Sequence, residues 1–587
     1  VLNTTTHKWL VNRTNSEYVD YISRIASVSP AFAQVLINRG IKSPDQINLF
    51  LNPAVDKLSD PFELPHIKIA IDRIREAKSN GERVLVHGDY DADGVTATAI
   101  TVEGLKKIGI DVHYFIPNRI IHGYGFGNVG IEKAKEIGAK LIVTVDCGIT
   151  SFDAVSAANS IGIDVIITDH HEPVRVQSSE FGVRSEKYPE FFLPEAIAVI
   201  NPKLLNSSLI THHSSLLSGA GVAFKLIMAL FENNIDDVHE LFDLAAIGTA
   251  ADVVPVTGDN RIILKEGIKL IQSGERVGIR ALKDASGIRS DFFKTSFLYY
   301  IIIPRINAAG RMADANDVVR LLTTGSEAEA EKLSKWLHDL NSKRQEIEET
   351  VYNEALEMLQ KFEIGAAIVL ASEGWHHGVV GIVASRIAEK YYRPTFIFSI
   401  ENGVAKGSAR SIPPFDIHQG LSRCKDILKR FGGHKQAAGL SLSSGDIENF
   451  RAMISDVVTN TLSEDDFVPF LHIDAAVNMS DVSIELIDEI ARLEPFGYGN
   501  EEPLFGTKGL EAIQPRIVGN NHLKMHLRQN GRRIDSIGFD LGGFLNTVEG
   551  NALIDAVFLP IINEWDGGRY LQLNLKAIRP SQLSGSR

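Results

Sequence analysis

Cysteine is nearly absent: Cys147 and Cys424 are the only two among 587 residues. That excludes a disulfide framework and leads us to expect a reducing, cytoplasmic setting. No uninterrupted apolar run reaches the roughly 18 residues of a membrane span, so none is expected. The start, Val1-Leu2-Asn3-Thr4, lacks both the basic and the apolar region of a signal peptide. Asn-x-Ser/Thr matches such as Asn206-Ser207-Ser208 therefore carry no weight. Positive charge is short as well: 60 Lys and Arg stand against 74 Asp and Glu, a net of −14. Lys and Arg must neutralise phosphates for broad nucleic-acid binding, so a uniformly basic surface is excluded, though a local basic channel is not. The 44% apolar content is ordinary. The chain is too long for one core, and about three to four domains are expected.

What is present is an acidic pattern at strand ends. Val84-Leu85-Val86 stops at His87-Gly88-Asp89-Tyr90-Asp91-Ala92-Asp93-Gly94, and a helix-forming stretch, residues 95–108, follows. Leu141 to Val145 ends in Asp146-Cys147-Gly148, and Val165 to Thr168 ends in Asp169-His170-His171. Helical segments near 129–138 and 151–161 separate these runs, and such alternation predicts a parallel sheet. Its strand ends share one edge, where ligands of open α/β sheets bind. A further carboxylate, Asp252, ends the apolar helical stretch Gly248-Thr249-Ala250-Ala251. Carboxylates draw hard divalent cations, and imidazole adds affinity for transition metals. One acidic strand end could be a solvated loop. Three in register, two with His, predict a metal-dependent enzyme.

These residues resemble a known family. His-x3-Asp-x-Asp, the isolated Asp146, Asp-His-His and Gly-Thr-x-Ala-Asp look like the four motifs of the DHH phosphoesterase superfamily. Arg305-Ile306-Asn307-Ala308-Ala309-Gly310-Arg311-Met312, the segment from Trp375 through His376, His377 and Gly378 to Arg386, and Pro495-Phe496-Gly497-Tyr498-Gly499-Asn500 narrow the likeness to RecJ-type single-stranded-DNA exonucleases. Gly432-Gly433-His434 resembles the glycine-glycine-histidine of the DHHA1 domain. The likeness covers about residues 20 to 580.

The resemblance implies two divalent ions, manganese rather than magnesium given the mixed Asp/His donors. His87, Asp91 and Asp146 would hold one; Asp93, Asp146, His170 and Asp252 the other, with Asp146 bridging. Asp89 and Asp169 would orient neighbours, and His171 would face the scissile phosphate. Arg305, Arg311, His376, Ser408, Arg410, Gly432, Gly433 and His434 would bind the strand. Cys147 is expected to be inert, and His212 and His213 are left out. The implied reaction is 5′-to-3′ hydrolysis of single-stranded DNA to mononucleotides in recombination and repair. The expected protein is a monomer, partnered by a single-strand-binding protein and a helicase. A phosphodiesterase of short oligonucleotides or cyclic dinucleotides, and a non-catalytic replication scaffold, are the alternatives.

The expected architecture is α/β. An N-terminal extension (1–80) packs on a parallel-sheet DHH catalytic domain (81–325), whose residues 305–312 form a loop. A long helix (326–362) begins at Ser326-Glu327-Ala328-Glu329, a capping-box pattern, and carries apolar residues from Leu333 to Phe362 at helical spacing. It leads to a smaller α/β DHHA1 domain (363–462), rich in bases at Lys425, Lys429, Arg430, His434 and Lys435. After the acidic linker 463–466 comes a β-barrel of OB type (463–587), and no further C-terminal module is expected. In the barrel His522 to Arg528 alternates strictly, with Leu523, Met525 and Leu527 on one face. The other face, including Lys524 and Arg528, would contact phosphates or simply be a solvated strand face. A turn at Asp566-Gly567-Gly568 precedes the alternating Leu571 to Leu575.

Overall fold

Short strands, largely apolar and buried except at the edge strand Val112–Phe115, build the first sheet of the computed structural model: β1 (Val84–His87), β2 (Val112–Phe115), β3 (Leu141–Val145), β4 (Asp164–Thr168) and β5 (Ala198–Ile200). The structure describes residues 7–119, 121–123, 125–175, 188–205, 216–289, 293–361, 363–550, 552–565 and 568–581. Asn206–Ser208, His212, His213, Phe362, Asp566 and Gly567 lie outside these.

The sheet order is β2-β1-β3-β4-β5, all parallel. The chain leaves β1 for β2 on one side and returns to β3 on the other. That reversal opens a crevice beyond the carboxyl ends of β1 and β3, where ligands bind in such folds. Three apolar-rich helices back the sheet: α1 (Ala92–Lys107), α2 (Gly219–Leu230), buried at every residue, and α3 (Phe242–Ala251). Inside α1, Thr96, Thr98 and Thr101 donate to carbonyls one turn back, at 2.8, 2.7 and 2.9 Å, so their hydroxyls are satisfied without water.

The described residues fall into two compact units. The catalytic unit is Asp45–Lys343 with Leu493–Glu501; the other holds the described residues up to Pro44, Arg344–Arg492 and the described residues from Glu502. The N-terminal extension is therefore divided. Residues from 45 belong to the catalytic unit, and the described residues before them to the other. Lys8–Val11 pairs in parallel with Phe470–Ile473, Ser29 donates to the Glu489 carboxylate, and Asn38 donates to the Asp474 carbonyl at 2.6 Å. A four-residue strand needs an existing edge, and Phe470–Ile473 supplies it.

Residues 305–312 are a helix rather than the expected loop: α4 (Ile303–Met312) follows the π-turn Leu298–Ile302. Pro304 stands in its first turn, where a missing N–H costs nothing. The long helix α5 runs unbroken over Glu327–Leu359.

The second sheet contains β6 (Ile368–Glu373), β7 (Thr395–Glu401), β8 (Val404–Arg410), β9 (Leu428–Gly433) and β10 (Ala437–Ser443), in the order β9-β10-β8-β7-β6. Helices α6 (His377–Tyr391) and α7 (Ile447–Thr461) pack with it. The acidic linker is one 3-10 turn, Glu464–Phe467, capped by Ser463 and Asp466. Beyond it, β11 (Ala475–Ala476) adds to a closed five-stranded barrel. The barrel's strands are β12 (Phe505–Val518), β13 (His522–Gln529), β14 (Arg532–Gly538), β15 (Leu553–Trp565) and β16 (Gly568–Pro580), in the order β12-β13-β14-β16-β15, closed by β12 on β15. This is the OB architecture. Leu523, Met525 and Leu527 fill its interior with Leu573 and Leu575. Among the described residues, no helix is long and apolar enough to cross a membrane.

Candidate metal centre

The loop after β1 is shaped by its own carboxylates. Asp91 caps α1, its Oδ1 accepting from the N–H groups of Asp93 and Gly94 at 3.0 and 3.1 Å. This is the capping geometry that short acidic side chains favour. Asn307 of α4 accepts from Ala92 N–H at 2.8 Å, satisfying another unpaired donor of the same helix end. Gly310 lets α4 approach closely, since a Cβ there would collide with the Tyr90 carbonyl.

Asp93 is buried, and its two oxygens accept from Gly219 and Ala220 N–H at 2.7 and 2.8 Å. The positive end of α2 thus holds a carboxylate that burial alone would expel. Asp146 leaves β3 with φ of 60°, the left-handed region that Asp and Asn tolerate better than other side chains. The bend is tied by Thr144, whose hydroxyl donates to the Cys147 carbonyl at 2.8 Å. Asp146 Oδ1 is buried and accepts no hydrogen bond, although His170 Nε2 lies 3.2 Å away. Asp89 Oδ1 is buried and unpaired as well.

After β4, Asp169 acts as a bracket. It accepts from the backbone of His170, His171 and Ile149 at 2.7, 3.0 and 2.9 Å, and pairs with His171 Nδ1 at 2.8 Å. His170 stands among acids: Nε2 is 3.2 Å from Asp146 and 3.9 Å from Asp93, and Nδ1 is 3.5 Å from Asp252.

The structure therefore draws the acids and imidazoles into three overlapping sets, each with donor atoms within 4.8 Å: Asp146, His170 and His171; Asp93, His170 and Asp252; Asp89, Asp91 and Asp146. His87 belongs to none of these sets. It is buried between the rings of Phe115 and Phe126, with Nδ1 3.8 Å from Cys147 Sγ. Asp89, expected only to orient neighbours, belongs to one of them.

Burial first, then the charge of the neighbouring acids, pushes the Asp89, Asp93 and Asp146 carboxyls well above their usual range. Burial pulls His87 and His170 down to about 4, which keeps both imidazoles neutral and able to ligate. Burial would lower His171 too, but Asp169's hydrogen bond and charge outweigh it and raise His171 to about 9. Asp169 is held down at about 2: burial opposes this, and the bond and charge of His171 overcome it.

The remaining expected residues are dispersed. Arg305 is half-buried on α4, donating to the Ile301 carbonyl at 2.8 Å and lying 3.3 Å from His338 Nδ1; Arg311 is on the same helix. In the other unit His376 caps α6, its Nδ1 accepting from Gly378 N–H at 3.0 Å. Arg410 donates to Ser408 and Ser385 hydroxyls at 3.0 and 3.1 Å. Gly432 and Gly433 end β9, and His434 N–H donates to Ala437 O at 2.8 Å across the hairpin. On the barrel, Lys524 lies 3.4 Å from Asp535, and Arg528 makes a forked pair with Glu511 at 2.6–2.9 Å. That strand face carries its own counter-charges and fits the solvated-face alternative.

Asn307 enters the sequence reading only as part of the 305–312 motif, with no role, and Arg119 does not enter it. Arg119 lies over the Tyr90 ring, 5.3 Å from its centre, beside the acidic loop. Nothing local marks it; only the fold brings it there.

Models of three families match along the chain: the DHH family N-terminal domain over 83–249, the DHHA1 domain over 364–460 and the RecJ OB domain over 473–577. The single-stranded-DNA-specific exonuclease RecJ of Bacillus subtilis is 37% identical over 574 residues, 97% of this chain and 70% of that protein. The chain belongs to the RecJ family. RecJ of Thermus thermophilus in complex with Mn2+ superposes with a TM-score of 0.83 at 32% identity, covering 99% of this chain and 81% of that one. The Mg2+ complex of that RecJ gives 0.77 at 30% identity, over 98% and 79%.

Proposed function

We propose that this RecJ-family chain is a single-stranded-DNA exonuclease that hydrolyses phosphodiester bonds at a two-metal centre. It would work from the 5′ end and release 5′-mononucleotides in recombination and repair. The observation that carries this reading is the crowding of Asp89, Asp91, Asp93, Asp146, His170 and Asp252 at the sheet's switch point, with buried oxygens of Asp89 and Asp146 that accept no hydrogen bond. A cation is the partner such oxygens lack. Asp89, Asp91 and Asp146 would hold one ion, and Asp93, His170 and Asp252 the other, with Asp146 between them. The mixed oxygen and nitrogen donors suit Mn2+, with Mg2+ as a substitute. Two such ions supply an activated water and neutralise charge on the attacking and leaving oxygens.

The chain's own residues do the rest. Asp169 fixes the His171 ring through Nδ1, so that Nε2–H can donate to an oxygen of the scissile phosphate. The hydrogen bond and charge of Asp169 favour the protonated ring and so support this role. Asn307 and the start of α2 hold the acidic loop and Asp93 in place. Among alternatives, a scaffold that had lost its ligands does not fit a site where Asp91, Asp93, Asp146, His170 and Asp252 stand together. The same reading makes the protein a cytoplasmic monomer acting beside a helicase and a single-strand-binding protein.

The test is a time course on 5′-phosphorylated single-stranded DNA, with and without Mn2+, labelled at either end. Immediate release of 5′-labelled mononucleotide with a shrinking 3′-labelled ladder is expected. Turnover of dinucleotides alone would move the function to a short-oligonucleotide phosphodiesterase.

A further inference from the structure

The register of the second sheet aligns side chains into rows across its strands. Ser408, Gly439 and Gly432 are successive partners on β8, β10 and β9. Two residues along, and so on the same face, Lys406, Ser441 and Arg430 form the next row. Lys406, Gly439, Gly432 and Arg430 are exposed on that face, whereas the alternate residues Leu440 and Leu442 are buried in the core on the other side. A Cβ on Gly432 or Gly439 would meet nothing within 4 Å, so the face above the glycine pair is bare.

A bulge sharpens the pattern. The β9 register shifts between Leu428 and Arg430, leaving Lys429 as the extra residue. Two consecutive bases are thereby exposed on an edge strand, as bulges commonly re-aim side chains. Among the described residues, no carboxylate pairs with Lys406, Lys429 or Arg430. Lys524 and Arg528 of the barrel are, by contrast, partnered by Asp535 and Glu511. In a chain of net charge −14, three uncompensated bases around one cross-strand row stand out.

We propose that Lys406, Ser441 and Arg430, with Lys429 beside them, form a binding row for one backbone phosphate of single-stranded DNA. It would lie next to a phosphate held at the Ser408–Gly439–Gly432 row. This rests on the exonuclease reading above. Rows two residues apart along a strand are separated by about 7 Å. That spacing suits successive phosphates of a stretched strand better than the adjoining phosphates of a di- or triphosphate. Lys and Arg supply charge, and the Ser441 hydroxyl a donor.

The test uses the full chain with Mn2+ and the double variant Lys406→Ala/Arg430→Ala, checked by thermal melting. KM for a 5′-phosphorylated oligonucleotide should rise about ten-fold with kcat nearly unchanged, as expected for two exposed charge-assisted contacts. The slope of log KM against log salt should fall by about 0.7, one phosphate's share on a single strand. Lys406→Arg/Arg430→Lys should restore both. Unchanged KM and salt slope in the Lys406/Arg430 variant would overturn the row while the wild type still cleaves DNA. A wild-type preference for a 5′-triphosphate end that the variant loses would also overturn it, by assigning the row to a polyphosphate terminus. Failure of the wild type itself to cleave DNA would instead count against the exonuclease reading.

Discussion

Replacing Asp146 by Asn should make the metal-free protein more stable while abolishing cleavage. Asp146 is buried, one oxygen accepts no hydrogen bond, and Asp93, Asp91 and Asp89 add like charge around it. Relieving one buried, unsatisfied charge is worth about 1–3 kcal/mol. Asn also keeps the tolerance for φ of 60° that Ala lacks, so Asn isolates charge from backbone strain. At no more than about 2–4 °C per kcal/mol, the range for units somewhat smaller than this one, the metal-free melting temperature should rise by at most roughly 2–12 °C. The pH dependence has a fixed sign. A carboxyl raised in the folded state binds more protons there than in the unfolded chain. Its contribution is fully present below the usual carboxylate range and is lost as pH rises through the raised value. Metal-free wild type should therefore lose stability as pH rises above the ordinary carboxylate range, and Asp146→Asn should flatten that loss. Saturating Mn2+ at about 100 times its Kd should stabilise the wild type by about 2.7 kcal/mol, and the variant much less. Differential scanning fluorimetry with and without EDTA reads all three effects. A metal-free Asp146→Asn protein that melts lower than wild type, yet still gains the full Mn2+ shift, would refute a charge-crowded metal site.

The other expectations concern groups that hold this site. Asp146→Ala should abolish Mn2+-dependent cleavage with the circular dichroism spectrum retained, and residual activity would remove Asp146 from the centre. Asp169→Asn keeps an acceptor oxygen but takes away the charge that helps to raise His171; the alkaline limb of the kcat profile should move to lower pH, and an unmoved limb would detach His171 from the reaction. Gly219→Ala would place a Cβ against the Asp146 carboxylate; Mn2+ affinity, measured by calorimetry, should fall at least ten-fold, with a stability cost of about 1–3 kcal/mol. Asn307→Ala leaves the Ala92 N–H without its acceptor; about 1 kcal/mol of stability should go, and kcat should drop more than KM rises in steady-state assays.

Much of the catalytic sheet was legible because its signals are local. Three buried strands read as unbroken apolar runs such as Leu141 to Val145, and these end in His87, Asp146 and Asp169-His170, which a parallel sheet must carry to one edge. The strict alternation of His522 to Arg528 likewise gave the inward Leu523, Met525 and Leu527. What escaped the sequence depends on distant pairing. Nothing near Lys8 announces that it joins a strand at Phe470, and nothing near Asn307 announces that it caps α1. The segment Leu493–Glu501 reads as the approach to the barrel but belongs to the catalytic unit. There Arg261 donates to the Leu493 carbonyl at 2.7 Å, Tyr299 to that of Phe496 at 3.0 Å, and Val256 N–H to that of Tyr498 at 2.9 Å. Whether His87 or Asp89 meets Asp91 and Asp146 is decided by which way the loop after β1 turns, and motif spacing does not encode that.

The same distinction governs charge. A net of −14 argues against nucleic acid only if every charge counts equally, and the structure shows that they do not. Part of the acidic excess is concentrated at Asp89, Asp91, Asp93, Asp146 and Asp252, where bound cations would offset it. On β13 of the barrel the cations are cancelled one by one: Lys524 by Asp535, and Arg528 by Glu511. A phosphate arriving there would have to displace a carboxylate already in place. On β8 and β9, Lys406, Lys429 and Arg430 meet no such competitor among the described residues, so a phosphate there gains the whole of their attraction, less its own desolvation. Two basic stretches that look alike in the sequence thus differ in what they can bind, and the difference lies in the cross-strand neighbours.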